Sequence, residues 1–153
     1  MLNSDCRFVG VRFRGTGAVK WSMAGTKNGL FVPRGLKQRG PVLLVEGPTD
    51  CAAALDYGFD SIGRPNDSAR RREIVQAVQK VGWPLAVIVA DRGKAGFRGA
   101  FRLQSEARSG VRTMIIYSRV AKDLRSYYNR GMPSQALVDV IQTRTQNKYW
   151  SIL

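Results

Sequence analysis

Leu43-Leu44-Val45-Glu46-Gly47-Pro48-Thr49-Asp50 and, further along, Leu85-Ala86-Val87-Ile88-Val89-Ala90-Asp91 are the two stretches that decide the fold. Each is a short apolar run that ends abruptly in a carboxylate. Such a run is too short for a core helix and reads as a strand buried on both faces, the pattern of a parallel sheet. Open α/β sheets carry their chemistry at the carboxyl ends of these strands. Glu46 and Asp91 are therefore expected to be neighbours in an anionic site, and in a chain this basic an acidic site calls for a metal ion.

The chain has 153 residues, with 25 Lys+Arg against 11 Asp+Glu and a formal net charge of +14. That length fits one domain with a real core. The charge excess acts through counterion release and long-range steering, so it points to a polyanion, with DNA or RNA as the leading partner. A basic surface serving only solubility is the plainer alternative. No strongly amphipathic basic helix suggests a membrane surface, and no apolar stretch is long enough to span a bilayer. There is no histidine. That excludes His-based triads, His general bases and His-ligated metals, and leaves carboxylates to carry metal and acid–base chemistry. Cys6 and Cys51 form no CxxC pair and no disulfide framework, and the N-terminus carries no signal-peptide pattern. A reduced, cytoplasmic setting is expected.

Outward from the two key strands, the pattern divides into three parts. Positions 6 to 45 contain no acid. Within them Phe8 to Arg14, the turn Gly15-Thr16-Gly17 and Ala18 to Met23 predict a β-hairpin. Its polar face would present Arg12, Arg14 and Lys20 beside Trp21, suited to phosphates and stacked bases. The competing reading is a solvated face with Trp21 packed on the core. Gly29 to Pro33 reads as a short edge strand stopped by proline. Residues 1–40 thus form a basic hairpin and edge strand, 41–132 an α/β core, and 133–153 a C-terminal helix and tail.

In the core, Pro48 and Thr49 open a helix closed by Gly58. Asp67 or Ser68 is expected to cap the next, with Ile74, Val75 and Val78 inward and Gly82 at its end. A third helix runs from about Gly96 to about Ser109, Val111 to Tyr117 is a further buried strand, and helices follow at about Lys122–Arg130 and from Ser134 to about Thr145. This alternation predicts a mostly parallel sheet with right-handed crossovers. The last apolar residues, Val138, Val140, Ile141 and Tyr149 to Leu153, either cover the sheet or dock a partner.

Asp50 lies one turn into the first helix, where helix-end capping is its simplest role. Glu46 leaves a buried strand and needs a partner to offset its desolvation. The segment after Asp91 sets Lys94, Arg98 and Arg102 four residues apart on one helical face. Such a stripe is either a solvated face or a grip on a phosphodiester backbone beside the acid. No Walker A sequence is present.

These residues resemble a known family. Glu46-Gly47-Pro48-Thr49-Asp50 looks like the EGxxD signature of the Toprim domain, shared by DnaG-type primases, topoisomerases and several nucleases. Asp91 to Gly96 resembles its DxDxAG motif, and Lys122-Asp123-Leu124-Arg125 resembles the KDLND segment of primase-type members. Asn28 to Arg34 is similar to the approach to Toprim in phage and plasmid primases. The resemblance implies a Rossmann-like Toprim fold with an N-terminal hairpin, and metal-dependent nucleotidyl transfer on a single-stranded DNA template. In it Glu46 would be the general acid/base, and Asp91, Asp50 and Asp123 would hold Mg²⁺ or Mn²⁺. Arg12, Arg14, Lys20, Arg34, Arg64, Arg92, Lys94, Arg98, Arg102 and Lys122 would face the polymer, with other replication subunits or further primase domains as partners. Gly93 replaces the second acid of DxD, and Arg125 and Ser126 replace the last two residues of KDLND. A Toprim nuclease and a catalytically degenerate nucleic-acid-binding module are the alternatives.

Overall fold

A computed structural model describes residues 1–17, 19–38, 40–66, 70–108 and 110–145. The central sheet has four parallel strands in the order β4-β3-β5-β6, formed by β3 (Val42–Glu46), β4 (Asp60–Arg64), β5 (Ala86–Val89) and β6 (Thr113–Ile116). The runs ending at Glu46 and Asp91 are its adjacent central strands, β3 and β5, with Leu44 beside Ile88.

Alternation along these strands divides the core between two faces. Leu43, Val45, Val87 and Val89 pack with α1 (Gly47–Asp56), α4 (Leu124–Asn129) and α5 (Ser134–Thr145). Val42, Leu44, Ala86 and Ile88 pack with α2 (Arg71–Val81) and α3 (Lys94–Ala107). Burying both faces is what permits wholly apolar strands, each large side chain contributing about 1.5–3 kcal/mol. Val138 and Ile141 of α5 lie in the core and Val140 is exposed, so this helix covers the sheet. Tyr149 to Leu153 lie outside the described residues.

An antiparallel hairpin, β1 (Arg12–Arg14) with β2 (Lys20–Ser22), precedes the sheet as expected, Phe13 standing opposite Trp21. Trp21 is not a core residue: it is 49% exposed.

Strand β4 is not expected from the sequence. Its only large apolar residue is Ile62, and the rest, Asp60, Ser61, Gly63 and Arg64, gives no strand signal. Tertiary partners compensate for the buried polar groups. Asp60 accepts the backbone N–H groups of Lys37 and Gln38 at 2.8 and 2.7 Å and the indole N–H of Trp83 at 2.9 Å. The Ser61 hydroxyl donates to the Leu43 carbonyl at 3.1 Å. The edge strand anticipated at Gly29–Pro33 is reduced to isolated antiparallel bridges, Leu30 with Leu2 and Phe31 with Gly63, which cover the outer edge of β4. The strand before α4 is shorter than anticipated and only half buried, because β6 is the sheet's other edge. Helix α3 starts at Lys94, before Gly96. Arg70, in the left-handed region at φ 59°, occupies the N-cap of α2, and Gly82 its C-cap; Asp67 and Ser68 lie outside the described residues.

Candidate active site at the carboxyl end of the sheet

Glu46 is the last residue of β3 and also the N-cap of α1, so strand and helix meet at its backbone. Asp91 stands just beyond β5. Gly96 keeps α3 close to it: a Cβ at position 96 would fall 2.2 Å from the Asp91 carbonyl oxygen, so only glycine lets the helix start there. The neighbouring amide of Arg92 donates to the Lys122 carbonyl at 2.6 Å, joining this loop to the segment that carries Asp123.

Asp123 and Asp50 each have a structural bond as well. Asp123 caps α4, accepting the Ser126 amide at 2.7 Å. Asp50 does not cap its own helix. It is buried, and its Oδ1 accepts the Arg125 amide at 2.7 Å, tying α1 to α4. Because the donor is backbone N–H, the departure of Arg125 from the KDLND pattern leaves this bond intact.

These four acids line one cleft of about 280 Å³. Arg12, Arg14 and Lys20 of the hairpin, Lys122, Phe31, Thr49 and Pro65 line it too. The acids feel one another. Burial, then Glu46, Asp50 and Asp123, push the Asp91 carboxyl up to about 7, against a partial offset from Lys122. Burial also raises Asp50, to about 6; the Arg125 amide opposes this, Asp123 and Glu46 add to it, and Lys20 lowers it. Such a set of hard, mutually repelling oxygens suits a hard divalent cation. Among the described residues, no group of three acidic or thiol side chains is placed to hold a metal ion.

The cations fall into three sets. Arg12, Arg14, Lys20 and Lys122 border the cleft, with Arg12 Nη1 donating to the Pro65 carbonyl at 2.9 Å. Arg92, Lys94, Arg98 and Arg102 are exposed outside the lining, Arg92 Nη1 reaching the Arg119 carbonyl at 3.3 Å. Arg34 is exposed and lines a separate cavity with Pro33, Pro48 and Cys51. Arg64 departs most from the expected surface position. It is 2% exposed and stands beside Glu46 in the β3–β4 register, so it is buried in the sheet and not part of a surface grip. Phe31 and Thr49 are expected from the sequence only as edge strand and helix start, and Pro65 has no expected role; all three line the cleft. Pro65 follows the strand that had no apolar pattern, which hid it.

No protein-family model and no curated protein matches the sequence. Among solved structures, the chain is similar to the structure of the DnaG catalytic core. The TM-score is 0.65 and the identity 15%, covering 94% of this chain and 51% of that one. The chain thus spans about half the length of that structure. A likeness at this identity establishes the fold, and the four parallel strands flanked by helices, with an antiparallel N-terminal hairpin, are those of a Rossmann-like Toprim fold.

Proposed function

We propose that this chain is a primase-like nucleotidyltransferase module, adding nucleotides along a single-stranded DNA template. The observation that carries this reading is the convergence of Glu46, Asp50, Asp91 and Asp123, from three separate segments, in a cleft bordered by the cations of the hairpin. Asp91, with Asp50 and Asp123, would hold Mg²⁺ or Mn²⁺, which would neutralise charge at the phosphoryl group and orient its oxygens. The Glu46 carboxylate would take the proton from the attacking hydroxyl. Arg12, Arg14, Lys20 and Lys122 would hold the polymer backbone at the cleft, while Arg34, Arg92 and the Lys94–Arg98–Arg102 stripe would extend the grip outside it. Segments or replication subunits beyond this chain would supply the remaining parts, in a cytoplasmic setting. Strand cleavage instead of synthesis would use the same groups.

A second reading, a nucleic-acid-binding module without chemistry, is favoured by Gly93 in place of an acid and by the lack, among the described residues, of three side chains placed to hold a metal ion. The two separate in one experiment. Nucleotide incorporation on a primed single-stranded template is measured with Mg²⁺ and Mn²⁺ for the wild type and Glu46→Gln. The enzyme reading expects incorporation by the wild type alone, with template affinity shared by both. Equal template binding with and without metal, and no turnover by either protein, establishes the binding module instead.

A further inference from the structure

The β1–β2 hairpin has features that a solvated ribbon does not need. Phe13 and Trp21 stand directly opposite each other, with ring centroids 5.5 Å apart and planes inclined by 23°. They stack on each other yet remain 37% and 49% exposed, beside exposed Val19 and Met23. The sequence makes room for this pose. An added Cβ at Gly15 would lie 3.1 Å from Trp21 Cζ3, so the ring rests over the turn. On the other face Arg14 is paired with Lys20. Like charges directly opposite each other destabilise a hairpin, and neither residue belongs to an ion pair among the described residues. An anion between them would convert that repulsion into attraction.

The hairpin is also held at the cleft. Arg12 ties it to the Pro65 carbonyl, and Arg14 and Lys20 line the cleft beside the four acids.

We infer that the β1–β2 hairpin is a base-stacking platform for single-stranded nucleic acid, Trp21 and Phe13 taking bases and Arg14 and Lys20 the adjoining phosphates. A two-stranded ribbon is only about 5 Å from strand to strand, so a polymer wrapping its edge can lay bases on the aromatic face while the long Arg14 and Lys20 side chains reach its phosphates from the other. The ligand must be unpaired, because a duplex keeps its base faces within its own stack. Aromatic stacking on any base is sequence-tolerant, which suits a strand read by pairing elsewhere. The inference deepens the proposed function and rests on it only for the strand's path into the carboxylate cleft.

Fluorescence anisotropy of labelled oligo(dT), oligo(U) and a duplex, with the full chain and no metal or nucleotide present, tests it. Trp21→Ala is expected to weaken oligo(dT) binding roughly ten- to hundred-fold, leaving duplex affinity and the salt dependence unchanged, because no phosphate contact is lost. Trp21→Tyr keeps a stacking ring and should restore most of the affinity. The double change Arg14→Ala with Lys20→Ala should instead flatten the salt dependence by about one unit or more. Comparing oligo(dT) with oligo(U) distinguishes DNA from RNA on the same platform. An unchanged affinity in Trp21→Ala overturns the inference, as does an equal loss for duplex and single strand. If Trp21→Ala abolishes self-association in light scattering without altering oligo(dT) binding, the patch joins copies of this chain and the inference falls. No readout involves turnover, so failure of nucleotidyl transfer and failure of the platform are separately visible.

Discussion

The Asp50 carboxylate accepts the backbone N–H of Arg125 at 2.7 Å, a bond spanning 75 residues of sequence. It binds the first turn of α1 to the first turn of α4 and so brings the acid-bearing segments together. One side chain thereby serves both architecture and electrostatics. Its burial and its acidic neighbours raise it to about 6, while the amide it accepts pulls the other way.

That dual role predicts different outcomes for two substitutions. Asp50→Asn keeps an oxygen for the Arg125 amide and removes a repelling charge, so near neutral pH it should be at least as stable as the wild type. Asp50→Ala leaves the amide without its acceptor and should cost about 1–3 kcal/mol. Urea unfolding checks the order; a less stable Asn variant would contradict this account of the site.

Stability should fall as pH rises. Asp50 and Asp91 have folded-state values of about 6 and about 7 against an ordinary 3.8. For an acid raised on folding, the folded state holds the proton more tightly. The stabilisation is complete below the unfolded value and is lost as pH climbs through the folded one. Thermal melts without divalent cations should therefore decline between about pH 4 and pH 7. Mg²⁺ binding the folded form should recover stability at the upper end. A flat profile in both conditions would show that the acids do not repel one another as described.

Restoring the second acid of the DxD pattern should not restore a metal ligand. Gly93 has φ 127° and ψ 166°, a backbone region open essentially to glycine. Gly93→Asp is expected to destabilise the fold by about 1–3 kcal/mol. Isothermal titration should detect no tighter Mg²⁺ binding by the variant. Tighter binding with undiminished stability would mean the loop accommodates a side chain after all.

In the core, Leu43→Ala on the central strand should cost about 2–5 kcal/mol, since Leu43 is fully buried and leaves a cavity. Val120→Ala, at a half-exposed position, should stay within about 0.5 kcal/mol. Denaturant midpoints for the two variants give the comparison directly.

The sequence alone determined the central strands, their parallel pairing and the acids at their ends, because long apolar runs can be satisfied only by burial on both faces. It also determined the hairpin, through a glycine-rich turn between alternating strands. Two things were decided only by tertiary structure. Strand β4 exists because Asp60 and Ser61 find hydrogen-bond partners at Trp83, Lys37, Gln38 and Leu43, and no local pattern announces a polar strand that is satisfied from a distance. The same holds for Asp50 and Trp21: a helix-start acid reads as a cap, and the pattern around the tryptophan fits a stacking surface and a core position equally. Where each side chain ends up depends on contacts made after the chain has folded back on itself, and those contacts carry no signature in the residues beside it.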